Sequence, residues 1–313
     1  MIDLKEKTNG IKIITARKKL TKRELREERA GYLFVIPNFI GILIFVALPI
    51  LLSLLLGFTK WNPMQGLQGI EFVGMDNFTD MFSDERLKAA LINNLVYTGL
   101  YVPISICIAM VMAALLNRFV FFKIPLRLMC FMPYISAMVS VAYIWLILLN
   151  PEGGPINSIL SALGMSNLPG WFTSSASALG GIIIMSIWHD VGYYMIIFLS
   201  TMQGISSEIY ESAKVDGAGG IQSFFKITVP MMGPNIFFVS ILATMNSFKV
   251  FDQINVLTEG GPGYSTNVLV YCIYHYAFKE HNIGYASAVA VLLFAIIFVI
   301  SMFQVKLKDK VTV

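Results

Sequence analysis

Four polar side chains interrupt one long apolar run: Ser186, His189, Asp190 and Tyr193. Their spacing of i, i+3, i+4 and i+7 puts all four on one face of a helix. Ionisable groups inside an apolar segment are costly, so such a face is a candidate functional surface. The chemistry it offers is hydroxyl recognition. Asp190 accepts paired hydroxyls, His189 donates or accepts, and Tyr193 brings both a ring and a phenolic hydroxyl, which suits a neutral polyhydroxylated solute. Trp188 and Tyr194 lie off this stripe. The same residues have a second reading, as polar ties between neighbouring helices, and the sequence leaves both open. A later run repeats the pattern: Asn246 and Ser247 lie one turn beyond Ala243 and one turn before Val250. Lys249 and Asp252 follow closely, in positions from which a long side chain reaches the membrane interface.

Other chemistries find less support. His189-Asp190 is the sole pair on which a membrane-embedded enzyme is arguable, and no nucleophile or metal set shares its face. His281 has no partner at metal-ligand spacing. No GxxxxGK[ST] motif is present, so the chain has no Walker-type device for holding ATP. Cys107, Cys130 and Cys272 fall in or beside apolar runs without paired spacing and read as buried small residues.

The elements that must position these residues are membrane spans. Of 313 residues, 56% are hydrophobic and 13% charged, a composition that a soluble domain of this length does not have. A bilayer core takes about 20 apolar residues as a helix, and six runs qualify: roughly 31–58, 94–117, 127–149, 178–203, 229–250 and 285–305. Prolines at 37, 49, 103, 133 and 234 are tolerable where neighbouring helices satisfy the freed carbonyls. Tyr271, Tyr274, His275 and Tyr276, ahead of the last run, read as an interfacial aromatic belt. The expected organisation is a basic arm (1–30), a six-span domain (31–305) and a short tail (306–313).

Basic residues set the orientation. The arm carries ten Lys and Arg against five acids, which ahead of a span favours retention in the cytoplasm over nucleic-acid binding. No cleavable signal peptide is expected, because the first apolar run is too long for an h-region. The loop after the second run holds Arg118, Lys123 and Arg127, and the tail holds Lys306, Lys308 and Lys310. Residues 150–177 have no Lys or Arg, and residues 59–93 have three against five acids. Both termini are therefore expected in the cytoplasm. The turn-rich stretches 150–171, with a short apolar helix over Ile156–Leu163, and 258–263 are expected outside.

Between the fourth and fifth runs lies a polar island on the cytoplasmic side, ESAKVDGAGGIQSFFKITVP over 211–230. A short amphipathic helix here reads either as an interfacial helix or as a docking helix for a soluble partner. The order Glu211-Ser212-Ala213, then Asp216-Gly217, then Ile227 and Pro230, resembles the cytoplasmic coupling loop of binding-protein-dependent ABC importer permeases, whose pattern is Glu-Ala-Ala, three residues, Gly, nine residues, Ile-x-Leu-Pro. The chain departs at Ser212 and Val229, each a small or aliphatic replacement. The form over 213–218 looks most like the carbohydrate-uptake branch, the maltose-type permeases.

That resemblance, covering roughly 30–305, implies an all-α fold of the type I ABC importer permease class, with six transmembrane helices and a coupling loop over 208–230. It implies a non-catalytic subunit that binds no cofactor, with ATP held by two partner ATPase subunits. A second, homologous permease, an extracytoplasmic solute-binding protein and a carbohydrate substrate complete the system, in a bacterial or archaeal cell membrane. Anchored on the coupling loop, the positions lining the family's sugar site fall on Ser186, His189, Asp190 and Tyr193, and on Ala243, Asn246, Ser247 and Val250. Their side chains differ from the family example except at Tyr193, so location carries over better than specificity. The runner-up is an importer for amino acids, peptides or anions. An anion site calls for Lys or Arg facing the cavity, and these spans offer only Lys249 near an end. A secondary transporter is the further alternative, which has no need of a docking helix at 211–230.

Overall fold

The computed structural model describes residues 21–118 and 123–311. Positions 1–20 of the basic arm, the loop 119–122 and the last two residues of the tail lie outside the described residues.

Apolar runs of 20 or more residues with few charges become helices because a bilayer leaves no other partner for their backbone groups. The first is α1 (Lys22–Ile42), a π-helical turn (Leu43–Ala47) and α2 (Leu48–Leu56). Three more helices are long and apolar enough to cross a membrane within α4 (Glu85–Arg118), α8 (Ala178–Gln203) and α15 (Ile283–Val311).

The other two expected spans are each broken. The third is α5 (Lys123–Ile135) and α6 (Met138–Leu148), meeting at 96°. Ala137 is extended at the break (φ −60°, ψ 125°), and the Ser136 hydroxyl closes α5 by donating to the Met132 carbonyl at 3.1 Å. The fifth bends by 71° at Met232, between Gly220–Met231 and Gly233–Leu257. There α11 (Val229–Met231) gives way to α12 (Gly233–Phe248), which has Pro234 in its first turn, where a missing N–H costs nothing. Pro230 thus opens only a short turn, and the following span is opened by Pro234. Counting each bent pair once gives six candidate spans among the described residues. Continuous apolar runs hid both bends, because composition reports burial in lipid and not helix direction.

Outside the spans, residues 59–60 and 71–72 pair as a two-residue antiparallel ladder (Thr59↔Phe72, Lys60↔Glu71). The short helices α3 (Asp76–Asp80), α7 (Pro155–Ala162), α9 (Ser207–Val215) and α14 (Leu269–Tyr274) fill the loops, while α10 (Gly220–Ser223) and α13 (Asp252–Leu257) lie at the two ends of the bent fifth pair.

Within residues 53–311, α8 is the central element. Of its apolar window 67% is buried, against 33% for α4 and 22% for α15. It packs on α4, α5, α12 and α13. Gly192 lets α8 touch α5: a Cβ there would sit 1.9 Å from the Cys130 carbonyl oxygen. A second close approach joins α15 to the ladder, where a Cβ on Gly284 would meet the Thr59 carbonyl at 1.8 Å. Small residues at such crossings let backbones approach where lipid supplies no hydrophobic drive.

Candidate functional site: a mid-membrane cluster and an exposed cytoplasmic segment

His189 and Asp190 are the twelfth and thirteenth residues of the 26-residue α8, halfway along it and so about 18 Å from either end. The two side chains bond to each other, Nδ1 to Oδ1 at 2.6 Å. The second carboxylate oxygen accepts a short hydrogen bond from the Tyr101 hydroxyl on α4. The Tyr101 hydroxyl lies 3.2 Å from that of Tyr194, which accepts from Asn246 on α12 at 3.4 Å. On its other side, His189 Nε2 faces the Ser136 carbonyl, freed at the α5–α6 break, at 3.3 Å. Both imidazole nitrogens therefore face oxygens of the chain.

Three of the expected pathway residues, His189, Asp190 and Asn246, thus belong to one network, and Tyr193 lies on its flank. Tyr193 stacks on Tyr134 of α5, with centroids 4.5 Å apart and planes 7° from parallel. The other four lie deeper. Ser186 is fully buried, donating to the Ile182 carbonyl at 2.8 Å and accepting from Gln253 of α13 at 3.1 Å. Ser247 is buried against α4, its hydroxyl 2.8 Å from that of Thr98. Ala243 and Val250 are core residues. Helical spacing does not carry to Val250, because α12 ends at Phe248. Sequence reasoning missed Tyr101, Tyr134 and Ser136, and set Tyr194 aside as off the stripe. The one available signal was tyrosine recurring at i and i+4 (Tyr97, Tyr101) within an otherwise apolar run. No Lys or Arg occurs in α8 or α12.

At the end of the bundle that precedes α4, a second polar cluster replaces the expected aromatic belt. Asp84 caps α4, accepting from the Leu87 N–H at 3.1 Å. Its other oxygen accepts from the hydroxyls of Tyr276 (2.5 Å) and Tyr285 (2.7 Å). Burial alone would raise the Asp84 carboxyl, but these donors and the Arg86 N–H together hold it below the usual carboxylate range. Arg86 pairs with Glu280 at 3.0 Å, touches His275 Nδ1, and lies over the rings of Tyr264 and Tyr276. Burial and then the Arg86 cation push the His275 imidazole down, against the pull of Glu280. Tyr271 and Tyr276 are buried, not laid along an interface: Asp84 and Arg86 hold the hydroxyl and ring of Tyr276, and Tyr271 packs on Phe251 and His275.

The segment 206–230 is organised differently. The Ser206 hydroxyl caps α9 by accepting from the Glu208 N–H at 3.3 Å. The helix ends where Gly217 takes φ +81°, with Ala218 N–H donating to the Ala213 carbonyl (2.8 Å) and Gly217 N–H to that of Lys214 (3.0 Å), a Schellman end. Tyr210 bonds Thr228 in the π-helical turn Phe224–Thr228 at 2.9 Å, holding α9 against the chain that re-enters the membrane. A cavity of about 530 Å³ lies behind α9, bounded by Val111 and Leu115 of α4 and by Tyr210, Phe224 and Phe225. Ala213 and Ile227 are half-buried. Glu211, Ser212, Asp216, Gly217 and Pro230 are exposed, and among the described residues the side chains of Glu211, Ser212 and Asp216 have no partner within the chain.

Six helical spans with two broken members, a polar cluster at mid-depth and a capped, outward-facing helix in a loop define a multi-pass permease. The family model described as "Binding-protein-dependent transport system inner membrane component" matches residues 83–313, and the chain belongs to that family. It is 34% identical to the multiple sugar-binding transport system permease protein MsmF of Streptococcus mutans, over 93% of this chain and 99% of that one. It is 33% identical to the lactose transport system permease protein LacF of Rhizobium radiobacter, over 88% and 92%. It also superposes on a chain of a bacterial ABC transporter involved in the import of the acidic polysaccharide alginate. There the TM-score is 0.81 at 23% identity, over 93% of this chain and 99% of that one. That likeness shows the type I importer permease fold.

Proposed function

We propose that this chain is half of the membrane pathway of an ATP-driven importer for a neutral sugar, oligosaccharide or related polyhydroxylated solute. The observation that carries the solute class is the mid-membrane cluster, a bonded network of carboxylate, imidazole and phenols edged by the half-exposed Tyr134 and Tyr193 and the exposed amide of Asn246, with no Lys or Arg in α8 or α12. Such a surface matches hydroxyls and offers an anion no cation. The names of MsmF and LacF support a carbohydrate.

In this reading the subunit performs no covalent chemistry and needs no cofactor of its own. Two partner ATPases bind and hydrolyse ATP. Their closure moves α9 through Glu211, Ser212, Ala213, Asp216 and Gly217, and reaches the spans through Ile227 and Pro230. The pathway then switches between inward- and outward-facing states. A second, homologous permease supplies the other half. An extracytoplasmic binding protein delivers the solute, a role supported by a similar alginate transporter solved in complex with a periplasmic protein bound to an alginate pentasaccharide. Both termini lie in the cytoplasm, with loop 150–171 and Glu259 outside.

Two measurements test this. In proteoliposomes holding the assembled complex, ATP-dependent uptake is expected for neutral saccharides delivered by the binding protein. Uptake of amino acids or phosphate esters with none of any saccharide would overturn the solute class. For orientation, single cysteines at 152, 214 and 259, in a background with Cys107, Cys130 and Cys272 replaced, are treated with an impermeant reagent in intact cells. Labelling at 152 and 259 but not 214 is expected, and labelling at 214 would overturn the topology.

A further inference from the structure

Most polar side chains around the cavity behind α9 are spent on the chain itself. The hydroxyls of Tyr210 and Thr228 bond at 2.9 Å, and Ser223 donates to the Gly219 carbonyl at 3.0 Å. Two groups are left over. Among the described residues neither the Lys214 ammonium nor the Asn117 amide has a partner within the chain, and both residues line the cavity. Lys214 follows Tyr210 by four residues and so shares its face of α9. The exposed Glu211, Ser212 and Asp216 do not line the cavity. Among the described residues that do line it, there is one cation and no acid.

The cavity has a polar mouth and an apolar depth. Asn117 is the last residue but one of α4, and Val111 lies about 9 Å further along that helix. Leu115 of α4, Met202 of α8 and Phe224 and Phe225 of the re-entering chain complete the wall. Val111, Leu115 and Phe225 are also exposed, so the space opens sideways and is not a sealed void. Its volume of about 530 Å³ is that of a ligand site, a class that spans roughly 300–1,000 Å³ and is mostly apolar with a few placed polar groups. An ammonium and an amide at the end of a span, beside an apolar slot, suit a phosphate headgroup and its acyl chain. Basic pockets between spans hold anionic headgroups in this way.

We propose that the cavity behind α9 is a binding site for an anionic phospholipid, with the headgroup phosphate on Lys214 and Asn117 and one acyl chain along Val111, Leu115 and Phe225. The lipid fills the space between α9, the end of α4 and the Phe224–Thr228 turn, and so props α9 against the spans. That effect on coupling, unlike the site itself, rests on the reading of α9 as the ATPase-docking helix given under Proposed function.

The experiment uses the assembled complex, with its partner permease and ATPases, in phosphatidylcholine nanodiscs. A trace of phosphatidylglycerol or of phosphatidylcholine, each with a photoreactive group near the end of one acyl chain, is added, and cross-linked peptides are mapped after irradiation. Labelling within 111–117 and 221–228 is expected to be about fivefold stronger with the phosphatidylglycerol probe, the factor that one cation near the membrane surface supplies. Lys214→Gln should remove that excess and Lys214→Arg should keep it. Leu115→Trp, which fills the slot and leaves the charge in place, should also remove it. Equal labelling by the two probes in the wild type would overturn the proposal, as would an unchanged excess in Lys214→Gln. Labelling of an ATPase in place of these two segments would assign the cavity to the subunit interface and overturn it too. No excess in a complex whose ATP hydrolysis is still stimulated by the loaded binding protein would sink the site and leave the functional reading intact. The expected labelling without any such stimulation would uphold the site and overturn that reading.

Discussion

The cluster around Asp190 and the segment around Glu211 hold carboxylates of opposite character. Asp190 is spent inside the chain: His189 and Tyr101 bond its two oxygens, and its side chain is 15% exposed. Glu211 stands on an exposed helix with no partner among the described residues. Both regions carry backbone devices, a helix break in one and a Schellman end in the other, so both are shaped and neither is a loose loop. The difference is where the side chains look. A residue whose bonds close within the fold is accounted for by stability, whatever else it does. A residue displayed on a capped helix and left unpaired is free to meet a partner outside the chain, as proposed above.

The comparison breaks first at Asp190. Asp190→Leu removes the carboxylate that His189 Nδ1 and the Tyr101 hydroxyl share, and removing one partner of a buried pair costs about 3 kcal/mol. The yield and Tm of detergent-purified protein should fall steeply, whereas Asp190→Asn, which keeps an acceptor for Tyr101, should retain most of both. Equal behaviour of Leu and Asn would mean that the network does not hold the helices. Next in size is Gly192→Ala. Its Cβ would lie 1.9 Å from a backbone oxygen, so α5 and α8 must part, at about 2 kcal/mol. A wild-type Tm in that variant would remove the close approach on which the Tyr134–Tyr193 stack depends.

These two sites also mark how far the sequence could be read. Span positions were legible because run length alone reports them, and the family because the pattern over 211–230 is local, twenty consecutive residues. Polar residues at 186, 189, 190 and 193 were legible as a helical stripe. Their partners were not. Tyr101 and Asp190 are 89 positions apart, and nothing in an apolar run says which of its tyrosines will face a carboxylate. The bends at 136–137 and 232 were equally hidden, since Pro133 and Pro234 sit in runs whose hydropathy never drops. The Asp84 cluster was missed for a related reason. Tyr276 and His275 look like interface aromatics until α4 brings Asp84 and Arg86 beside them.

The coupling segment should respond more mildly. Gly217→Ala puts a Cβ on a residue at φ +81° with open space around it, so the cost is conformational only, about 1 kcal/mol. A full loss of folded protein in this variant would mean that α9 is part of the core after all. Smaller still is the acid response of the cluster at Asp84 and His275. Both groups are held below their usual range, so their contributions are present above the unfolded-state pKa and lost as pH falls through the folded one. The wild-type Tm should decline slightly as pH drops below about 6.5 and again below about 4. His275→Gln should remove the first step and Asp84→Asn the second. Retention of both steps in the double variant would assign them elsewhere.

The smallest structural effect is expected at Glu211, and it decides the comparison. Glu211→Lys removes no bond within the chain, and a surface substitution of that kind stays within about 0.5 kcal/mol. Its Tm should match wild type, and a complex held by many other contacts should still assemble. What should change is communication. If α9 docks on an ATPase as proposed, reversing the sign of Glu211 places a cation where that partner expects an acceptor. ATP hydrolysis stimulated by the loaded binding protein should therefore drop about tenfold or more, while the spans fold as before. Normal stimulation would show that α9 is displayed to lipid headgroups and not to an ATPase. A fall in Tm comparable to that of Asp190→Leu would show that Glu211, too, is spent inside the fold.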